Sequence, residues 1–169
     1  MKKILNELNK VDKFFLEAVS LQCSNLIQDK EAKDYLGCSF NIGNRYVKCR
    51  KATITPIKSG FFVTLWKRNE EHKPEPYNAS DKYNFYMILT EEHENYGFFL
   101  FPKNELIKQK ILSTEMKEGK RGFRVYPNWV NTANEQARKT QLWQSSYFFK
   151  FSAENKMQVK FLLETLNNL

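Results

Sequence analysis

The chain holds little of what metal, redox or nucleotide chemistry usually requires. It has two histidines, His72 and His93, both in polar stretches and neither at ligand spacing from a cysteine. Three cysteines, Cys23, Cys38 and Cys49, form an odd, widely spaced set without a Cys-x-x-Cys pair. That pattern argues against a disulfide framework or a zinc site, and reduced thiols of a cytoplasmic protein are expected. No local signature places a histidine where it would activate a cysteine nucleophile. The six glycines are scattered singly, so there is no Walker or dinucleotide glycine loop. No run approaches the roughly 20 apolar residues of a membrane span. The opening Met1-Lys2-Lys3-Ile4-Leu5 looks briefly like a secretory signal. Asn6, Glu7, Asn9, Lys10, Asp12 and Lys13 interrupt its apolar stretch, so no signal peptide is expected.

What is present describes a well-filled globular chain. Its 169 residues are 41% hydrophobic and 15% aromatic, enough for one domain over residues 1–169 with a core needing neither disulfide nor structural metal. Lys and Arg number 27 against 19 Asp and Glu, a net charge of +8. A positive field attracts polyanions, and counterion release makes nucleic acid the expected partner.

Periodicity predicts a mixed architecture. Ile4, Leu8, Val11, Phe15 and Ala18 or Val19 recur at helical steps over the first 30 residues. A charged break at 29–34 follows, with Gly37 as a helix C-cap. Strands are expected at 45–56, 61–68, 81–89 and 96–101, with a loop over 69–80. Their order suggests an antiparallel meander. Pro102 opens a short helix to Gln109, and residues 122–126 read as another strand. Thr132 and Glu135 suggest a capping box for a helix reaching Ser146. A strand at 147–151 and a last helix follow. That helix is capped by Ser152 and faced by Met157, Phe161, Leu162 and Leu166.

Three segments could carry binding chemistry. In residues 118–124, Gly119 and Gly122 permit close backbone approach, and Lys120, Arg121 and Arg124 supply donors for phosphate oxygens. A solvated charged turn would have the same composition. In the helix after Thr132, Gln136, Lys139, Thr140, Trp143, Gln144 and Tyr147 fall on one stripe, polar and aromatic but poor in aliphatics. Trp143 reads equally as a base-stacking platform or as a core anchor. Finally, Lys67 and Arg68 end a strand, and Lys103 could extend the same positive surface.

Residues 52–60 (ATITPIKSG), 62–68 (FVTLWKR), 99–103 (FLFPK), 119–127 (GKRGFRVYP) and 139–144 (KTQLWQ) resemble, in this order, motifs of the bacterial MepB-like proteins. The resemblance covers roughly residues 35–150. It implies an α/β domain with a central mixed, mainly antiparallel sheet flanked by N- and C-terminal helices, like a restriction-endonuclease core. It also implies a nucleic-acid-binding role without established catalysis; no cofactor is expected.

Restriction-type nucleases need an acid on one strand and Asp/Glu-x-Lys on the next, to hold a divalent metal and activate water. Asp81 is a candidate for the first acid. Triplets of the form Glu-x-Lys begin at Glu31, Glu71, Glu115, Glu118 and Glu154, where about two Asp/Glu-x-Lys triplets are expected by chance. Only Glu118-Gly119-Lys120 adjoins the basic motif. A divergent nuclease using Asp81, Glu118 and Lys120 with Mg²⁺ or Mn²⁺ is therefore one alternative. A module that docks an acidic protein is another.

Overall fold

The computed structural model describes residues 1–152 and 156–167. Ile4, Leu8 and Val11 are buried along helix α1 (Lys2–Val11), as their spacing predicts. The helix widens into a π turn over Asp12–Leu16, which buries Phe15 and Leu16, and tightens to a 3₁₀ turn over Glu17–Val19. Ser20 then adopts the left-handed conformation and ends it. The expected 30-residue helical stretch is therefore too long. Residues Cys23–Gln28 form an edge strand, β1, anchored where the Cys23 amide donates to the Asp12 carboxylate at 2.8 Å.

Gly37 does not cap a helix. The left-handed residue is Leu36, at φ 50°. Gly37 stands where a Cβ would come within 2.5 Å of the Ala32 Cβ. Strand β2 (Cys38–Ile42), absent from the sequence expectation, pairs antiparallel with β3 (Arg45–Lys51).

The meander expected over residues 45–101 is not what forms. After β3 the chain leaves the sheet, and β4 (Thr53–Ile54) and β5 (Phe61–Thr64) join β10 (Gly122–Val125) in a separate three-stranded sheet. The strand expected at 61–68 breaks at Leu65, whose amide donates to the Arg121 carbonyl. Beyond it β6 (Trp66–Arg68) pairs with β7 (Pro74–Pro76), inside the expected loop. The chain returns as β8 (Phe85–Glu92), parallel to β3 with Val47 opposite Phe85. A parallel return needs a long crossover, which residues 52–84 provide. Strand β9 (Asn95–Pro102) closes a hairpin with β8. The six-stranded order is β1-β2-β3-β8-β9-β11, with β11 at Phe148–Lys150. The sheet is mixed and mainly antiparallel, with helices packed on it.

Helix α2 (Lys103–Lys108) follows Pro102 as expected. Helix α3 (Glu135–Ser145) is capped two residues later than the capping box predicts: Asn134, not Thr132, accepts the Ala137 amide at 2.9 Å. In α4 (Lys156–Asn167) Leu162 and Leu166 are buried, whereas Met157 is exposed. Residues 153–155, through which Ser152 would cap α4, lie outside the described residues, as does Glu154 of the last Glu-x-Lys triplet.

Both faces of the central strands are covered, so β8 reads as the continuous apolar run Phe85-Tyr86-Met87-Ile88-Leu89. Met87 and Leu89 pack with Phe15, Phe40 and Phe98 on the α1 and α4 side. Tyr86 and Ile88 pack with Phe61, Val63 and Phe101 beneath the small sheet. Among the described residues no helix is long and apolar enough to cross a membrane.

Candidate nucleic-acid interface

A groove of about 530 Å³ runs between β10 and the N-terminal half of α3, with the turn before Gly60 along its rim. Lys58, Lys120 and Arg124 line it together with Gln136, Thr140 and Trp143, and no Asp or Glu does. Two of the three segments singled out in the sequence therefore meet here. Lys58 joins them from the ATITPIKSG run, where its role was not legible because only tertiary pairing brings that turn to β10.

The local chemistry explains the groove's shape. The Arg124 guanidinium donates through Nη1 to the carbonyls of Lys58, Ser59 and Gly60 at 3.3, 3.1 and 3.3 Å. Through Nη2 it donates to Thr55 Oγ1 at 2.5 Å. Arg124 thus clamps the turn that carries Lys58. Gly60 takes φ +77°, and a Cβ there would meet the Tyr126 ring at 2.6 Å. Gly119 and Gly122 serve internal packing: added Cβ atoms would strike the Leu112 backbone and the Phe62 ring, each at 2.6 Å. Lys58 and Lys120 are exposed and have no ion-pair partner among the described residues.

The helix stripe divides by role. Gln144 is wholly buried, and its amide is used on backbone: Oε1 accepts the Tyr126 amide at 2.8 Å, and Nε2 donates to the Arg124 carbonyl at 2.9 Å. It fastens α3 to the end of β10. Trp143 packs against Phe101 at 5.4 Å while one edge faces the groove. Tyr147 donates to Glu105 at 3.2 Å. Thr140 and exposed Gln136 remain on the groove wall, whereas Lys139 is exposed, 4.0 Å from Glu135 and off the wall. Arg121 is exposed and lies 3.6 Å from Glu118.

Lys67, Arg68 and Lys103 do not extend this surface. Lys67 pairs with Asp81 at 2.5 Å and Glu75 at 3.6 Å. Lys103 donates to the carbonyls of Ala79 and Asp81, and Arg68 donates to the His72 carbonyl. Asp81 also accepts the Asn78 amide at 2.7 Å. Asp81 and Glu118 are thus engaged in separate ion pairs, with Lys67 and Arg121. Among the described residues no group of three or more His, Cys, Asp or Glu side chains is placed to hold a metal.

A second charged cluster was not anticipated. Asp29, just beyond β1, accepts from Lys48 at 2.5 Å and from Arg50 on β3, and both cations are only 3% exposed. Arg50 also donates to the Tyr77 hydroxyl at 3.2 Å. Burial and the neighbouring Arg50 push the Lys48 ammonium below its usual pKa, and burial pushes Tyr77 up. Lys48 and Arg50 sit two apart on one strand face, but nothing local tells such a pair from solvated edge residues.

Fold and groove together define a mixed α/β domain with a cationic, carboxylate-free cleft beside its principal sheet. The chain belongs to the MepB-like family, whose profile matches residues 29–150. A solved structure of MepB is 36% identical and superposes with a TM-score of 0.75, covering 78% of this chain and 89% of that one. A bacterial homing endonuclease, I-Ssp6803I, aligns at 9% identity and a TM-score of 0.44, over 90% of this chain and 87% of its own. No curated protein matches by sequence.

Proposed function

We propose that this domain binds nucleic acid, DNA foremost, without cleaving it, through the groove between β10 and α3. The observation that carries the reading is the lining: Lys58, Lys120 and Arg124 face the groove and no carboxylate does. Such a surface attracts a phosphate backbone and repels nothing on it. Trp143 adds an aromatic surface to the groove wall that a base or sugar can contact. With no His, Cys, Asp or Glu in its lining, the groove has no donor set for Mg²⁺ or Mn²⁺, so binding is expected to be metal-independent.

Fluorescence anisotropy on single- and double-stranded DNA across a salt titration tests this. Log affinity is expected to fall steeply with log salt, at a slope of about −0.9 per phosphate contacted on duplex. The double variant Lys58→Ala/Lys120→Ala should flatten that slope by roughly two. A flat wild-type slope would overturn the proposal and favour a module for an acidic protein. Chelator-sensitive cleavage lost in Asp81→Ala would establish the nuclease alternative.

A further inference from the structure

We propose a second anion site, separate from the groove, that takes a phosphomonoester in the cavity walled by Lys48, Arg50, Trp66, Arg68 and Tyr77. This cavity of about 210 Å³ is lined by four cations, Lys48, Arg50, Lys67 and Arg68, against two carboxylates, Asp29 and Glu31. At its floor the imbalance is buried. Lys48 and Arg50, each 3% exposed, share the single Asp29 carboxylate, and an uncompensated buried charge is costly.

The surrounding groups do not supply the missing anion. The Tyr77 hydroxyl meets Arg50, but burial keeps it protonated. Lys67 already has Asp81 and Glu75. Lys48 otherwise faces the Tyr77 and Tyr83 rings at 5.6 and 5.3 Å, which soften its charge without neutralising it. Burial first, and then the neighbouring Arg50, lowers the Lys48 pKa, while Asp29 opposes that shift.

The ligand class follows from charge, donors and size. A phosphomonoester carries about −1.5 to −2 at neutral pH, opposite in sign to the net positive charge that Lys48, Arg50 and Arg68 leave over Asp29 and Glu31 once Lys67 is paired with Asp81 and Glu75. A guanidinium fork beside an ammonium suits its oxygens. The volume lies below the roughly 300–1,000 Å³ of pockets that enclose whole small molecules. The phosphate would therefore sit inside and its ester group outside, against Trp66 and the partly exposed Tyr35. The source is either a nucleotide or the 5′ end of a strand.

Two measurements on the full chain test the site. The melting temperature is followed during titration with inorganic phosphate and, separately, with chloride at matched ionic strength. Phosphate should raise it by about 5 °C at saturation beyond the effect of chloride. Lys48→Met should abolish that response and, by removing the unbalanced charge, should not lower the melting temperature without phosphate. If Lys48→Met does not fold, Arg68→Ala at the exposed rim should still weaken the response. Lys58→Ala/Lys120→Ala should retain it fully, so failure of the groove proposal and failure of this one are separately visible.

The second measurement identifies the source, using adenosine 5′-monophosphate and two short oligonucleotides identical except at the 5′ end. A strand-end ligand gives about tenfold tighter binding of the 5′-phosphorylated strand than of the 5′-hydroxyl strand. A free nucleotide instead displaces phosphate while the two strands bind equally. Either result supports the site. Equal responses to phosphate and chloride, or an unchanged response in Lys48→Met and Arg68→Ala, would overturn it.

Discussion

Gln144 shows how a single side chain can look like a ligand contact and act as a structural tie. Its amide saturates one backbone acceptor and one donor, at Arg124 and Tyr126, from a side chain that is itself wholly buried. Gln144→Leu would leave both groups buried and unpaired, at about 1–3 kcal/mol each. A loss of roughly 2–6 kcal/mol in urea denaturation is expected, and the proposed DNA binding should weaken only through the disturbed junction of α3 and β10. The sequence could place Gln144 on the same helix face as Gln136 and Thr140. It could not say which of the three points at backbone, because that depends on how close β10 approaches.

At the scale of elements, the turn before β5 is held by a residue 64 to 69 positions away. Arg124 on β10 gathers three carbonyls and a hydroxyl from residues 55–60. Arg124→Ala should free that turn, seen as faster amide hydrogen exchange over residues 57–62 with little change on β8 and β9. Some elements were legible locally. The helical spacing of α1, the apolar runs of β8 and β9 and the Pro102 start of α2 needed only neighbouring residues. Others were not. Cys38–Ile42 alternates buried and partly buried positions over five residues, too short a pattern to stand apart from the charged break before it. The run from Phe61 to Arg68 reads as one strand because Leu65 carries no breaker signal. The chain divides there because β10 and β7 offer different partners on either side.

Across the whole molecule, ion pairs tie sheet strands that are distant in sequence, and their stability follows pH. The Glu91 carboxyl on β8 is held below the usual 4.5 by hydrogen bonds from Lys51 on β3 and from Tyr96, chiefly the former. A group with a depressed folded pKa contributes stability that is fully present above its unfolded value and lost as pH falls through its folded value. Acid should therefore weaken the β3–β8 seam below about pH 4.5. Glu91→Gln is expected to unfold with a shallower dependence on pH there, measured by circular dichroism. At neutral pH it should be slightly less stable, since the pair is partly screened by solvent.

The amino-acid sequence by itself determined the class of chain: basic, aromatic-rich, without membrane-length apolar runs, and carrying the motif series of the MepB-like family. Those are properties of composition, spacing and local order. Only the tertiary structure decided which charges act together. It sent β8 back parallel to β3 and brought Lys58 and Lys120 into one groove without acids. It turned Lys67 and Lys103 onto Asp81, and buried Lys48 and Arg50 around one carboxylate. The physical reason is that a cation's role depends on which carboxylates and carbonyls lie within hydrogen-bond reach, and here most of those partners stand ten or more residues away along the chain.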